Sequence, residues 1–243
     1  MNELVIKYLK NNITSFELDY IEKSIPKRFS DSLNYKSNES KSLSLLSGII
    51  IYNNLKVLES DIKYNKLKKP YIENGPFFNV SHSKDMVVFV KSIQKIGIDI
   101  EYLDKKNLNI LNYAFDEYEK KYILDGDDGY SSIERLTKLW TIKESLFKAS
   151  GSEKYIEPKN LKAYNIDNDI KNTELPCIVN EQILKNEDSE IKCEKTQTSF
   201  LDTYYNTYSF KVLDYFLSVA SIENYDSIRV LEDRIVNNSI KQV

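Results

Sequence analysis

The chain has 243 residues, 41% hydrophobic and 29% charged, with a formal net charge of −3, which suits one large globular domain or two small ones. A pI near 5.5 gives no global basic field to draw in nucleic acid or an anionic membrane, so an anionic ligand has to be held locally. Two cysteines, Cys177 and Cys193, without C-x-x-C spacing and a single histidine, His82, exclude a disulfide scaffold and argue against zinc. No run approaches the ~18 apolar residues of a membrane span, and the N-terminus lacks a signal-peptide pattern. A cytoplasmic protein is expected.

In chain order, Val5 to Leu9 reads as a first strand, and Thr14 to Ser24 and Pro26 to Leu33 as short helices, the second with proline at an early helical position. Apolar residues at helical spacing from Leu43 to Leu58 predict a core helix over Ser40 to Leu58, capped by Asn38. A basic loop, Lys66 to Tyr71, follows, and Pro70 biases Lys69 toward extended backbone. Phe77 to Ser83, Met86 to Ser92 and Ile96 to Glu101 read as three adjacent antiparallel strands. Helical stretches at Leu108 to Tyr113 and Phe115 to Leu124, a loop at Gly126 to Gly129 and a long helix over Ser132 to Ala149 come next. Leu161 to Ile166, Tyr204 to Val212 and Tyr215 to Ser221 read as strands, and the polar segment Glu181 to Ser199 as a weak strand or surface loop.

Asp85 to Val90 and Asp214 to Val219 look like counterparts, each following a turn. Helix followed by β-meander thus occurs twice. The expected fold is α+β, with halves at 1–102 and 103–243 and a ligand cleft where they meet.

Two acidic stretches carry the chemistry. Alternation along Ile96-Gly97-Ile98-Asp99-Ile100-Glu101 puts the isoleucines on one face and two carboxylates on the other, next to a glycine with no side chain to block a ligand's approach. That suits a hard cation carrying phosphate oxygens, and equally an edge strand with solvated acids. On the Ser132 to Ala149 helix, Leu136, Leu139, Trp140 and Phe147 share an arc with Lys143, which there needs a partner or a polar cavity. Glu144 and Lys148, at i and i+4, suit either a surface ion pair or a phosphate site. His82, in Phe78-Asn79-Val80-Ser81-His82-Ser83, cannot form a triad with Ser81 or Ser83, since strand neighbours point to opposite faces.

The order and spacing of Phe78-Asn79-Val80-Ser81-His82-Ser83, Ile96 to Glu101, Phe115 with Glu117-Tyr118-Glu119, and Trp140-Thr141-Ile142-Lys143-Glu144-Ser145-Leu146-Phe147-Lys148 resemble the surfactin-synthetase type of 4′-phosphopantetheinyl transferase, over about Pro26 to Ala220. The resemblance implies two similar α+β halves about a pseudo-twofold axis, and transfer of the phosphopantetheine arm of coenzyme A to a serine of an acyl or peptidyl carrier protein. It implies Mg²⁺ on Asp99, Glu101 and Glu144, with Glu144 as base directly or through water, and Lys148 and His82 as catalytic contacts to phosphate oxygens. Coenzyme A would also meet Ser81, Lys69 and Pro70, and Arg28 and Ser44 would take part at the nucleotide end. A monomer is expected.

This chain departs from the family pattern in two places. Leu43 stands where a basic residue usually precedes Ser44, leaving Lys41 as a substitute, and Lys84 stands where glycine often follows the histidine motif. The carrier is expected to dock near Leu103 to Tyr113, with Lys105 and Lys106 as contacts. The competing readings are a metal-dependent phosphodiesterase or pyrophosphatase, which would hydrolyse coenzyme A without a carrier, and a non-catalytic coenzyme A or carrier-binding protein.

Overall fold

The computed structural model describes residues 3–163, 173–179 and 191–236. The chain opens with β1 (Glu3–Lys10), α1 (Ser15–Ser24), α2 (Pro26–Ser32) and α3 (Asn38–Leu55). A small ribbon of β2 (Ile62–Tyr64) and β3 (Pro70–Ile72) leads into β4 (Phe77–Ser83), β5 (Met86–Ser92) and β6 (Ile96–Tyr102). Helices α4 (Leu111–Ala114), α5 (Glu117–Asp125) and α6 (Ser132–Ser150) follow, then strands β7 (Thr173–Val179), β8 (Ile191–Phe200), β9 (Thr203–Val212), β10 (Tyr215–Ser221) and β11 (Ser227–Glu232).

Local signals set the helix bounds. Reciprocal capping boxes start α1 (Thr14 with Glu17), α5 (Asp116 with Glu119) and α6 (Ser131 with Glu134), each satisfying amides that a helix leaves without partners. Helix α3 is capped by Ser37 rather than Asn38. It stops at Leu55, short of the expected Leu58, because Lys56 turns left-handed (φ 55°) and Leu58 faces solvent. Gly151, with φ 66°, ends α6, where the missing Cβ makes that conformation inexpensive.

Among the described residues, nine strands form one mixed sheet in the order β4-β5-β1-β11-β7-β8-β9-β10-β6. Three adjacent antiparallel strands were expected from Phe77 to Glu101, and only β4 and β5 pair so. Strand β6 leaves its neighbour and pairs antiparallel with β10, Asp99 opposite Ser218. The sheet curls until its two end strands meet through side chains. Asn79 Oδ1 accepts from Ile98 N–H (3.0 Å), and Ser83 Oγ accepts from Tyr102 N–H (3.0 Å). Backbone groups that an edge strand would leave open are satisfied in this seam.

The enclosed face holds a core of Ile6, Val88, Ile98, Tyr208, Leu217 and Ile228, among others. Outside it, α3 packs Leu46, Ile49 and Ile50 against Phe78, Val87 and Phe89, and α6 packs Leu139, Ile142 and Leu146 in one cluster with Tyr205 and Ala220. Lys143, the inward lysine of α6, is fully buried. It donates to Glu119 Oε2 (2.7 Å), Pro158 O (2.9 Å) and Leu161 O (2.6 Å), tying α6 to α5 and the following loop.

Three readings change. Leu108 to Tyr113 divides into a 3-10 turn (Lys105–Ile110) and α4. Leu161 to Ala163 is not a strand, and 164–166 lie outside the described residues, as do 181–190 of the polar segment. The rest of that segment joins β8, paired with β7 and β9.

Candidate functional site

Strand β6 separates core from site by simple alternation. Ile96, Ile98 and Ile100 enter the core, while Asp99 and Glu101 project on the other face toward β4 and α6. Gly97 has a different reason from an open ligand approach: a Cβ there would sit 2.1 Å from Ser145 O and 2.4 Å from Ala149 N. The glycine lets the backbone of α6 lie on β6, which brings Glu144 and Lys148 over Asp99.

These elements enclose a cavity of about 340 Å³ lined by Val80, Ser81, His82, Asp99, Glu101, Trp140, Glu144 and Lys148. Asp99 is only 3% exposed, so it is not a solvated edge acid. Its Oδ1 accepts from Ser81 Oγ (2.7 Å) and Lys148 Nζ (2.6 Å). Its Oδ2 is buried with no partner. Lys148 also donates to Ser81 Oγ (3.0 Å) and Ile98 O (3.3 Å), so its ion pair is with Asp99 across two elements rather than with Glu144 on its own helix. Glu101 Oε2 accepts from Ser83 Oγ (2.8 Å).

The electrostatics are those of crowded carboxylates. Burial and the Asp99 charge push Glu101 up to about 7, and the same two causes raise Glu144, against the pull of Lys148. His82 stands at the rim, its pKa lowered by the packing behind it and by the Lys148 charge. A lone buried carboxylate oxygen beside two acids that resist ionisation is the donor set a hard divalent cation satisfies. Asp99, Glu101 and Glu144 therefore fit such an ion chemically, although no three His, Cys, Asp or Glu side chains among the described residues already stand at metal-ligand spacing.

Lys69 reaches the same helix from β3's side, its ammonium donating to Lys148 O. With Pro70 it lines a second cavity, of about 560 Å³, whose wall includes Ala149 and Gly151 at the end of α6. Arg28 and Ser44 meet each other, Arg28 Nη1 donating to Ser44 O (3.3 Å), and Arg28 also reaches the Tyr64 hydroxyl (2.6 Å). Neither lines either cavity. Leu43 is buried in the α3 core and Lys41 lies over the Phe29 ring. Lys84 has φ 53° in the β4–β5 turn, the conformation in which glycine is most at ease, and its ammonium covers the Tyr102 ring at 3.4 Å. Sequence reasoning placed Trp140 on the core arc, whereas it also walls the site. Lys95, which lines the second cavity, belongs to no motif and carried no signal.

Comparison with known proteins agrees with this geometry. The chain is 38% identical over 93 residues to the 4′-phosphopantetheinyl transferase gsp of Aneurinibacillus migulanus, and 34% identical over 97 residues to the 4′-phosphopantetheinyl transferase Sfp of Bacillus subtilis (strain 168). Each alignment covers 38% of this chain, and the chain spans 38% and 43% of the length of these two relatives. Residues 95–203 match the 4′-phosphopantetheinyl transferase superfamily. That segment contains Asp99, Glu101, Glu144 and Lys148, so the similarity covers four residues that line the candidate site.

Proposed function

We propose that the protein transfers the 4′-phosphopantetheine arm of coenzyme A to a serine of an acyl or peptidyl carrier protein. The observation that carries this is Asp99, buried with Lys148 on one oxygen and nothing on the other, at the floor of a cavity shared with Glu101, Glu144 and His82. Asp99, Glu101 and Glu144 would hold Mg²⁺, whose chemistry is to neutralise pyrophosphate charge. Glu144, which lines the same cavity, is placed to accept the serine proton, directly or through water. The serine oxygen bonds to the β-phosphorus as the bond to the leaving phosphate of adenosine 3′,5′-bisphosphate breaks. Lys148 and His82 contact phosphate oxygens, and Lys148 answers the charge on the leaving group. Ser81 holds Lys148 and Asp99 together. Lys69 and Pro70 take the nucleotide end, with Arg28 and Ser44 beyond.

The division into halves 1–102 and 103–243, related by a pseudo-twofold axis with the cleft between them, draws support from element order. A helix, a hairpin and a crossing strand occur as α3-β4-β5-β6 and as α6-β9-β10-β11. Both hairpin turns use a left-handed residue, Lys84 and Leu213, each with φ 53°. Asp99 comes from one half and Glu144 from the other, so one chain supplies the whole constellation, which favours a monomer. Among the described residues no helix is long and apolar enough to cross a membrane, in keeping with a cytoplasmic enzyme. Exposed Lys105 and Lys106, with exposed Leu108 and Tyr113 nearby, form the surface assigned to an acidic carrier.

Purified protein incubated with coenzyme A, Mg²⁺ and a panel of apo-carriers should add one phosphopantetheine to at least one of them, read by intact mass. Glu144→Gln should abolish that gain without changing thermal stability. Hydrolysis of coenzyme A without any carrier would replace this reading with a phosphodiesterase, and tight binding of coenzyme A with no turnover would replace it with a binding protein.

A further inference from the structure

The charged groups of the second cavity differ in how they are partnered. Four charged side chains line it: Lys69, Lys95, Glu73 and Glu153. Both acids are answered from outside, Glu73 by Lys63 and Glu153 by Lys66 at 3.8 Å, and neither of those lysines lines the cavity. The two lysines that do line it meet carbonyls of α6's last residues, Lys69 at Lys148 O and Lys95 at Ser150 O (3.5 Å). A carbonyl fixes an ammonium in place but supplies only part of a counter-charge, and each ammonium keeps further N–H donors. Burial, with the charges of Lys148 and Lys95, pulls the Lys69 pKa to about 8.

Tyr71, Phe77 and Phe78 line the same cavity with Pro70, and aromatic side chains can stack on a base. Aromatic side chains together with two ammonium groups that meet carbonyls rather than carboxylates suit a nucleotide carrying its own phosphate. Resting on the transferase reading, in which the pyrophosphate lies at His82 and Lys148, we propose that Lys95 is a phosphate-binding residue. With Lys69 it forms a two-lysine subsite for the 3′-phosphate of coenzyme A, taking the place of the basic residue missing at Leu43.

Lys95 is exposed in the turn between β5 and β6, so Lys95→Gln should keep the wild-type melting temperature. Initial rates of carrier modification are measured for both proteins with coenzyme A and with 3′-dephospho-coenzyme A. The expected result is a roughly fivefold rise in KM for coenzyme A, as for loss of one solvent-facing charge contact. It should leave kcat unaltered and KM for the dephospho compound unchanged, and Lys95→Arg should restore the wild-type value. An equal effect on both donors, or on neither, overturns the subsite. A wild-type protein that modifies no carrier sinks the transferase reading instead. The subsite is then judged by calorimetric titration: Lys95→Gln must weaken adenosine 3′,5′-bisphosphate and spare adenosine 5′-monophosphate, and equal effects on the two overturn it.

Discussion

Replacing Lys143 with methionine tests whether its buried network holds α6 in place. Lys143 is fully buried and Glu119 is 1% exposed. Burial draws the Lys143 pKa down while the Glu119 charge holds it up. The substitution keeps the apolar stem and removes three bonds at once, leaving Glu119 without its cation and Leu161 O without this donor, while Pro158 O keeps the Leu161 N–H (3.1 Å). Breaking a buried pair from one side costs about 3–5 kcal/mol, a large share of the ~5–15 kcal/mol that holds a typical domain together. Replacing both partners, Lys143→Met with Glu119→Leu, removes the unpaired charge. It still leaves Leu161 O without the lysine, and the Ala163 and Asp116 amides without the Glu119 oxygens that accept from them (3.1 Å each). At about 1–3 kcal/mol for an unsatisfied buried group, with some reached by water, the double variant should recover part of the loss and remain about 2–4 kcal/mol below wild type. Urea unfolding followed by circular dichroism supplies the numbers. A single variant within 1 kcal/mol of wild type, or a double variant no more stable than the single, would refute the reasoning.

Gly97→Ala should destabilise by at least ~1–3 kcal/mol through overpacking, because its Cβ would meet Ser145 O at 2.1 Å; a melting temperature equal to wild type would show that α6 can yield there. Glu101 has a folded-state pKa of about 7 against an ordinary 4.5, so the folded state binds its proton more tightly and stability falls as pH rises between those values, by at most ~3 kcal/mol. Melting curves in chelator should show that decline, and Glu101→Gln should flatten it; an unchanged slope rejects the assignment. Charge reversal at Lys105 and Lys106 should raise KM for an acidic carrier severalfold and leave KM for coenzyme A alone. An unaltered rate at low carrier concentration moves the docking surface elsewhere.

The parts of the fold that were legible depended on short-range periodicity. Alternation along Ile96 to Glu101 placed three isoleucines in the core and two acids outside it, because the backbone period of a strand is fixed wherever it pairs. The partner was not legible: β6 follows β5 by a short connection yet pairs with β10, a choice made by the closure of the whole sheet. Gly97 was read as room for a ligand, and the structure fills that room with α6. An inward Lys143 demands a partner, and Glu119, 24 residues away, stands out in the sequence only as part of the Phe115 to Glu119 motif, with no sign that the two meet. Strand β11 carries a signal of its own, Ile228 and Val230 buried on either side of exposed Arg229, but it is only one alternation long. The site itself was legible through its motif spacing, while the Lys148–Asp99 pair was hidden behind the more obvious i, i+4 spacing of Glu144 and Lys148.

That pair bears on how the proposed chemistry proceeds. An ammonium has three N–H donors, and Lys148 is within hydrogen-bond reach of three acceptors, Asp99 Oδ1, Ser81 Oγ and Ile98 O. A phosphate oxygen can therefore claim Lys148 only by displacing one of them. The bond to Asp99 is charge-assisted and the shortest at 2.6 Å, whereas that to Ile98 O is neutral and the longest at 3.3 Å, so the exchange costs least at the carbonyl. Lys148 can then turn toward a ligand while still held by Asp99, whose other oxygen remains free. One carboxylate would thus offer one oxygen to the lysine and the other to a cation. Asp99 therefore acts through geometry as much as through charge: its burial between β4 and α6 is what keeps those two positions from drifting apart.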